Sequence, residues 1–200
     1  KNKIINSCSY DFSIYLKFDK KNIKSLGYNY SLFIDEFNFY HPDVLFHNDH
    51  EAIVNKNYYI EIRRFLDYYE KITKNRVVIA KHPKNNIENL YNRLEISNIL
   101  KYVNNAKHIL AHSSGAINIA ILNKKNIIFL NSKNYSNSYQ KGINLFASTI
   151  DQKEIYIHDV KDFNNYNFDS HISQNNYKNY IEDFINASGK KSTHMENIYN

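Results

Sequence analysis

The sequence predicts an α/β domain built on a parallel sheet that is flanked by helices. Two observations favour this class. Short stretches such as 76–80 and 126–130 are apolar at nearly every position, as expected of strands buried on both faces of a sheet. Segments with a 3.6-residue apolar period separate such stretches, and this alternation of helix and strand is typical of parallel sheets. We therefore expect a Rossmann-like parallel sheet.

The first half of the chain supplies the first strands and one long helix. Residues 11–18 fit either a strand or a short helix, and 30–34 is a short apolar run typical of a strand. We predict a helix over 57–74 and a buried strand over 76–80. The helix prediction rests on apolar residues that share one face, namely Ile62, Phe65, Leu66, Tyr69 and Ile72. Residues 37–56 have the composition of a loop, with a turn signal at Pro42.

The second half repeats the alternation. The predicted helices are 96–105, 116–122 and 177–185, and the predicted strands are 107–111, 126–130 and 154–158. A turn is expected at 112–115, and the Asn-, Ser- and Tyr-rich stretches 131–141 and 161–176 are expected to be loops.

The composition indicates which cellular compartment and which binding partners suit the protein. The 200 residues include 26 Lys and Arg against 20 Asp and Glu, a net charge of +6 that suits a phosphate or an anionic membrane surface. The single cysteine, Cys8, excludes a disulfide framework and a multi-thiolate metal site, and it suits a reducing compartment. No apolar run approaches the ~20 residues of a membrane-spanning helix, and the first residues show no secretory signal. We expect a cytoplasmic protein.

Three polar clusters each follow a predicted strand. They are Asp35-Glu36, Lys81-His82-Pro83 and His112-Ser113-Ser114-Gly115. Ligands of parallel sheets bind outside the carboxyl ends of the strands, so all three clusters are expected on one rim. This convergence is the main functional indication in the residues themselves.

Each cluster also has an ordinary structural interpretation. Ser113 or Ser114 could cap the next helix, or the loop could bind a phosphate through hydroxyls and backbone N–H groups. His82 could be held by Pro83 to donate to a phosphate, or could be an incidental surface histidine. Asp35-Glu36 could supply a general base or simply form a polar strand end.

Other chemistries fit less well. Two aspartates and three histidines cluster between 41 and 50, but their spacing matches no compact zinc motif, so no metal site is expected. The GxSxG turn of many serine hydrolases is absent. The 18 tyrosines are scattered and no RNA-binding motif appears, so no nucleic-acid partner is expected.

Four segments resemble bacterial surface-carbohydrate biosynthesis proteins, of the capsule and lipopolysaccharide clusters. They are SYDFSIYL (9–16), SLFIDEFNFYHPD (31–43), VVIAKHPK (77–84) and KHILAHSSGAINIAILNKKNIIFL (107–130). An acidic pair, then His-Pro, then Ser-Ser is similar to the order in GT-B sialyltransferases and polysialyltransferases. In that group a glycine follows the acidic pair, where this chain has Phe37.

The resemblance implies roles for these residues. Asp35 or Glu36 would act as the base, and His82 would bind the donor phosphate and stabilise the leaving group. Ser113 and Ser114 would also bind the phosphate, with Lys81, Pro83, His112 and Gly115 completing the substrate site. The donor is a substrate, and no cofactor is implied.

The expected function is therefore transfer of a sugar, sialic-acid-like and carried by CMP, to a surface polysaccharide or lipooligosaccharide. A non-catalytic nucleotide-sugar-binding or assembly factor and a GT-B-fold epimerase are the alternatives. Because a GT-B enzyme has two α/β domains, 1–56 is expected to end a first domain, 57–187 to form the donor-binding domain and 188–200 to be a tail. Contact with the cytoplasmic face of the inner membrane is expected to be peripheral.

Overall fold

The computed structural model describes residues 7–38, 40, 57–158, 166–169, 172–193 and 195–196. Its centre is a six-stranded sheet in the order β3-β2-β1-β4-β5-β6, in which every neighbouring pair is parallel. The strands are β1 (Tyr30–Ile34), β2 (Arg76–Ala80), β3 (Glu95–Ile96), β4 (His108–Ala111), β5 (Asn126–Asn131) and β6 (Ile155–Tyr156). This architecture confirms the predicted Rossmann-like α/β fold.

The strand order positions the candidate site. From β1 the chain adds β2 and β3 on one side, and then returns to place β4 on the other side of β1. Leu32 pairs with Ile109 and Phe33 with Leu110, so β1 and β4 end side by side. Such a reversal point opens a crevice at the carboxyl edge, where ligands of open α/β sheets bind.

Five α-helices accompany the sheet in the described residues. They are α1 (Tyr10–Lys17), α2 (Tyr58–Thr73), α3 (Ile117–Leu122), α4 (Asn137–Thr149) and α5 (Gln174–Tyr180), and α5 continues into a π-helical turn, Ile181–Ile185. The segment 11–18, whose sequence fitted either a strand or a helix, is helical up to Lys17. The Ser9 hydroxyl caps this helix by accepting from the Phe12 N–H. The predicted helix over 57–74 is confirmed, although Ile72 is exposed rather than packed on the core.

Three local predictions were wrong, one of them the loop over 161–176, whose last residues belong to α5. Residues 96–105 do not form one helix, because Ile96 joins β3 and two short 3-10 turns follow, Ile99–Lys101 and Val103–Asn105. The predicted loop over 131–141 contains the start of α4, which is capped by the Ser136 hydroxyl. The predicted loop over 37–56 lies largely outside the described residues.

The core lies on both faces of the sheet. The residues of β1 and β4 are all buried, and α2 covers the sheet with the apolar face that includes Ile62, Phe65 and Leu66. Within the part of the chain that the structure describes, no helix has both the length and the apolar character needed to cross a bilayer.

Candidate functional site

Residues from all three predicted clusters meet at the carboxyl edge of the sheet. They surround a cavity of about 150 Å³ beside the ends of β1 and β2. Its polar lining comes from Asp35, Lys81, His82, Ser97 and Ser114. The apolar lining comes from Ile34, Ala80, Pro83, Ile96, Ile99 and Ala116.

Asp35 is the structural hub of this edge. Its carboxylate is 2% exposed and accepts four hydrogen bonds from protein donors. The donors are the Phe37 N–H (2.8 Å), the His82 N–H (3.3 Å), Asn85 Nδ2 (2.7 Å) and the Tyr91 hydroxyl (2.7 Å). Both carboxylate oxygens are therefore engaged in holding the His82 loop against β1.

The hydrogen bond from Phe37 goes with an unusual backbone conformation. Phe37 has a φ of 53°, in the left-handed region that favours glycine, and its side chain is buried against Tyr40. Phe37 thus holds a backbone turn that glycine would adopt without strain, and Asp35 Oδ1 stabilises the turn.

Glu36 points away from Asp35 and joins three elements. Its Oε1 accepts from the Ser113 N–H (2.7 Å), and its Oε2 accepts from Asn38 Nδ2 (3.0 Å) and from the Tyr139 hydroxyl. Burial and the nearby Glu36 carboxylate raise the pKa of Tyr139 well above 10, so this hydroxyl stays protonated and donates. Glu36 itself is only half-buried.

The side chains of Lys81 and His82 in the second cluster have different hydrogen-bond partners. Lys81 Nζ pairs with Glu95 Oε2 at 2.9 Å and donates to the Ile87 carbonyl at 3.1 Å, so a nearby carboxylate balances its charge. His82 is half-buried, and its Nδ1 accepts from the Lys84 N–H at 3.1 Å. In the neutral ring the proton is consequently on Nε2, which can donate to a ligand.

His112 lies in the interior rather than at the rim. It is 1% exposed, its Nδ1 donates to the Leu130 carbonyl (2.6 Å) and its Nε2 accepts from the Tyr58 hydroxyl (2.6 Å). Burial lowers the pKa of His112 below its usual 6.5, so the ring is neutral. The ring packs between the strands and α2, and the substrate-binding role of His112 stays a prediction.

The residues of the loop from Ser113 to Gly115 have different contacts. The Ser113 N–H donates to Glu36, whereas Ser114 lines the cavity and its hydroxyl accepts from the Ala116 N–H at 3.2 Å. Among the described residues, the backbone N–H groups of Ser114 and Gly115 have no acceptor. Two unpaired N–H groups beside a hydroxyl form a concave set of donors that suits an anion.

Several residues that organise this edge were not predicted from the sequence. Asn85 and Tyr91 hold Asp35, while Asn38 and Tyr139 hold Glu36. A signal existed for Tyr139, because apolar residues recur along α4 with helical spacing, namely Tyr139, Ile143, Phe146, Ala147 and Ile150. Tyr91 lies in an irregular segment and had no such signal.

The arrangement suits a small anion better than a metal. Ser114, Gly115 and His82 offer donors, and the acidic side chains are occupied by protein donors. The described residues contain no group of three or more His, Cys, Asp or Glu placed to hold a metal, and the histidines between 41 and 50 lie outside them. At about 150 Å³ the cavity is smaller than the roughly 300–1,000 Å³ of most small-molecule pockets, so it would enclose only part of a nucleotide-sized ligand.

Comparison of the chain with protein-family models, with curated proteins and with solved structures gave no match.

Proposed function

We propose that this chain is the donor-binding domain of a GT-B-type glycosyltransferase that acts in surface-polysaccharide or lipooligosaccharide synthesis. Its donor would be a nucleotide sugar, of the CMP-sialic-acid type in the resemblance described above. The observation that carries the proposal is the set of donors at the strand-order reversal, where Ser114 and His82 line one cavity and the Gly115 N–H follows Ser114 in the chain.

These donors suit the leaving group of glycosyl transfer. As the bond between the sugar carbon and the phosphate oxygen breaks, both electrons pass to the phosphate, which gains negative charge. Hydrogen bonds from the Ser114 hydroxyl, the Ser114 and Gly115 N–H groups and His82 Nε2–H would strengthen as that charge develops. Such donors act best when they are fixed in advance, and Asp35 fixes the His82 loop through three of its four hydrogen bonds.

The acceptor hydroxyl must also lose a proton. Asp35 and Glu36 are the carboxylates of the three predicted clusters, and Glu36 is the better base of the two because it is half-buried while Asp35 is enclosed. To act as a base, Glu36 would exchange one of its present donors, Asn38 or Tyr139, for the acceptor hydroxyl.

The enclosure of Asp35 favours a second candidate. A carboxylate whose oxygens accept four protein hydrogen bonds is suited to architecture rather than to proton transfer. The same cavity could therefore serve a non-catalytic nucleotide-sugar-binding factor in the same process.

Binding of the donor is tested by calorimetry with CMP, CMP-sialic acid and a panel of UDP- and GDP-sugars. We expect Ser114→Ala and His82→Ala each to weaken binding by about 10- to 100-fold, because each removes a hydrogen bond to a charged group. Ser148→Ala is the matched control, since Ser148 is exposed near the far end of α4. Absence of binding to every nucleotide sugar would contradict both candidates.

A transfer assay separates the two candidates. Glu36→Gln keeps the size of the side chain and removes its basicity, so an enzyme should lose turnover while calorimetry shows unchanged donor affinity. Unchanged transfer in this variant would remove Glu36 from the mechanism. Donor binding without any transfer by the unaltered chain, tried with lipid-linked and free glycan acceptors, would favour the binding factor.

A further inference from the structure

The lysines of this chain are concentrated in two stretches. Residues 12–34 and 97–150 together contain ten Lys, no Arg and one acidic residue, Asp19. Their net charge of +9 exceeds the +6 of the whole chain, so the remaining residues are net acidic. This segregation is stronger than the composition alone indicates.

The fold brings the two stretches together. The Lys24 N–H donates to the Lys101 carbonyl (2.7 Å), and Asn105 Nδ2 donates to the Lys24 carbonyl (2.9 Å). Between them lies a cavity of about 360 Å³, at the end of α3 that is remote from the candidate site. We call it the basic cavity; its lining is Tyr15, Phe18, Lys20, Ile23, Leu100, Asn104, Leu122, Asn123 and Lys124.

The basic cavity is amphipathic. Five of its lining residues are apolar or aromatic, and all of these except Ile23 belong to the core or pack against it, while Lys20 and Lys124 are exposed. Lys17, Lys21 and Lys24 are exposed on the adjoining segment. The carboxylate of Asp19 accepts from the Lys21 N–H at 3.0 Å, and Glu196 lies near Lys17.

The outer surface of α1 extends this character. Tyr10 is 75% exposed and Ile14 is 36% exposed, and Lys17 follows them on the same face at helical spacing. Aromatic and aliphatic side chains beside lysines are typical of surfaces that settle into the boundary between lipid headgroups and acyl chains.

We propose that the basic cavity and the outer face of α1 bind the anionic phospholipid surface of a membrane. The lysines would contact lipid phosphates, and the apolar lining would accept the upper part of an acyl chain. A soluble nucleotide would not use the apolar lining, and an acidic peptide would leave Tyr10 and Ile14 exposed. This inference does not depend on the proposed sugar chemistry.

Vesicle sedimentation tests the proposal, with phosphatidylcholine vesicles prepared with and without phosphatidylglycerol. We expect binding only when phosphatidylglycerol is present, and weaker binding as salt is added. The double variant Lys20→Ala/Lys124→Ala should lower the partition coefficient by about 25-fold, at roughly fivefold for each lysine. Tyr10→Ser should lower it further without harming the fold, because this side chain is 75% exposed.

The matched control is Lys71→Ala/Lys153→Ala, which removes the same charge from exposed positions elsewhere. An equal loss in the control would show that only net charge matters and would overturn the site. Absence of binding to phosphatidylglycerol vesicles would overturn it as well. So would equally tight binding to single-stranded DNA that falls in parallel in the Lys20/Lys124 variant, since that result would identify a general polyanion surface.

Discussion

Strand β4 has a histidine at each end, and the two rings differ in the partner of their second nitrogen. His108 begins the strand and His112 follows it, and each ring is hydrogen-bonded to a tyrosine of α2, Tyr69 (2.5 Å) and Tyr58 (2.6 Å) respectively. The second nitrogen of His112 donates to a buried carbonyl, whereas that of His108 faces the exposed carboxylate of Asp169 at 3.1 Å.

The aspartates of the two edges differ in the same direction. Asp35, at the carboxyl edge, is 2% exposed and holds four donors, whereas the Asp169 side chain, at the amino edge, is 63% exposed and pairs with Lys107 and His108. The aspartate at the carboxyl edge is thus enclosed by protein donors, whereas the aspartate at the amino edge is solvated. We infer that the first is rigid enough to position a ligand.

The largest expected effect is that of Asp35→Ala. Four donors would lose their acceptor, three of them buried, and at about 1 kcal/mol for each the free energy of unfolding should fall by about 4 kcal/mol. Urea denaturation followed by circular dichroism measures it. A loss below about 1 kcal/mol would show that Asp35 does not stabilise this edge of the sheet.

Tyr58→Phe should have the next largest effect. It would leave His112 Nε2 buried without a donor, at a cost of about 1–3 kcal/mol in the free energy of unfolding. Tyr10→Phe is the control, because its hydroxyl is on a side chain that is 75% exposed. If the two variants are equally stable, the Tyr58–His112 contact contributes nothing.

Acidification should have the third largest effect on the free energy of unfolding, through protonation of His112 in the unfolded chain. Its pKa is lowered on folding, so below about pH 6.5 the unfolded chain binds a proton that the folded chain does not. The free energy of unfolding should therefore fall with decreasing pH in this window, by at most about 1.4 kcal/mol for each pH unit from this group. NMR of the His112 ring should show no titration at pH 6.5; a midpoint at or above that value would refute the enclosed, neutral ring.

The smallest effect is expected from Asp169→Ala. Exposed ion pairs contribute about 0–1 kcal/mol, and salt screens them. The same denaturation experiment should place this variant within about 1 kcal/mol of the parent chain. A loss equal to that of Asp35→Ala would remove the distinction between the two edges.

Sequence patterns predicted the parts of the fold that depend on local periodicity. Strands β1, β2 and β4 were located because buried parallel strands are largely apolar, and the three polar clusters directly follow these strands. Helix α4 was missed because its first residues are Asn, Ser and Tyr, whose composition is typical of loops. The enclosure of Asp35 could not be predicted, since Asn85 and Tyr91 are 50 and 56 positions away in the chain.

The two cavities lie at opposite ends of the short helix α3. Ser114 and Ala116, before its first turn, line the candidate site, and Leu122 and Lys124, at its other end, line the basic cavity. Six helical residues span about 9 Å, and the neighbouring Ile99 and Leu100 are divided between the cavities in the same way. A ligand that shifts α3 along its axis would change the shape of both cavities. Coupling between two binding sites is reciprocal, so lipid contact would change the affinity for the anion by the same factor by which the anion changes the affinity for lipid.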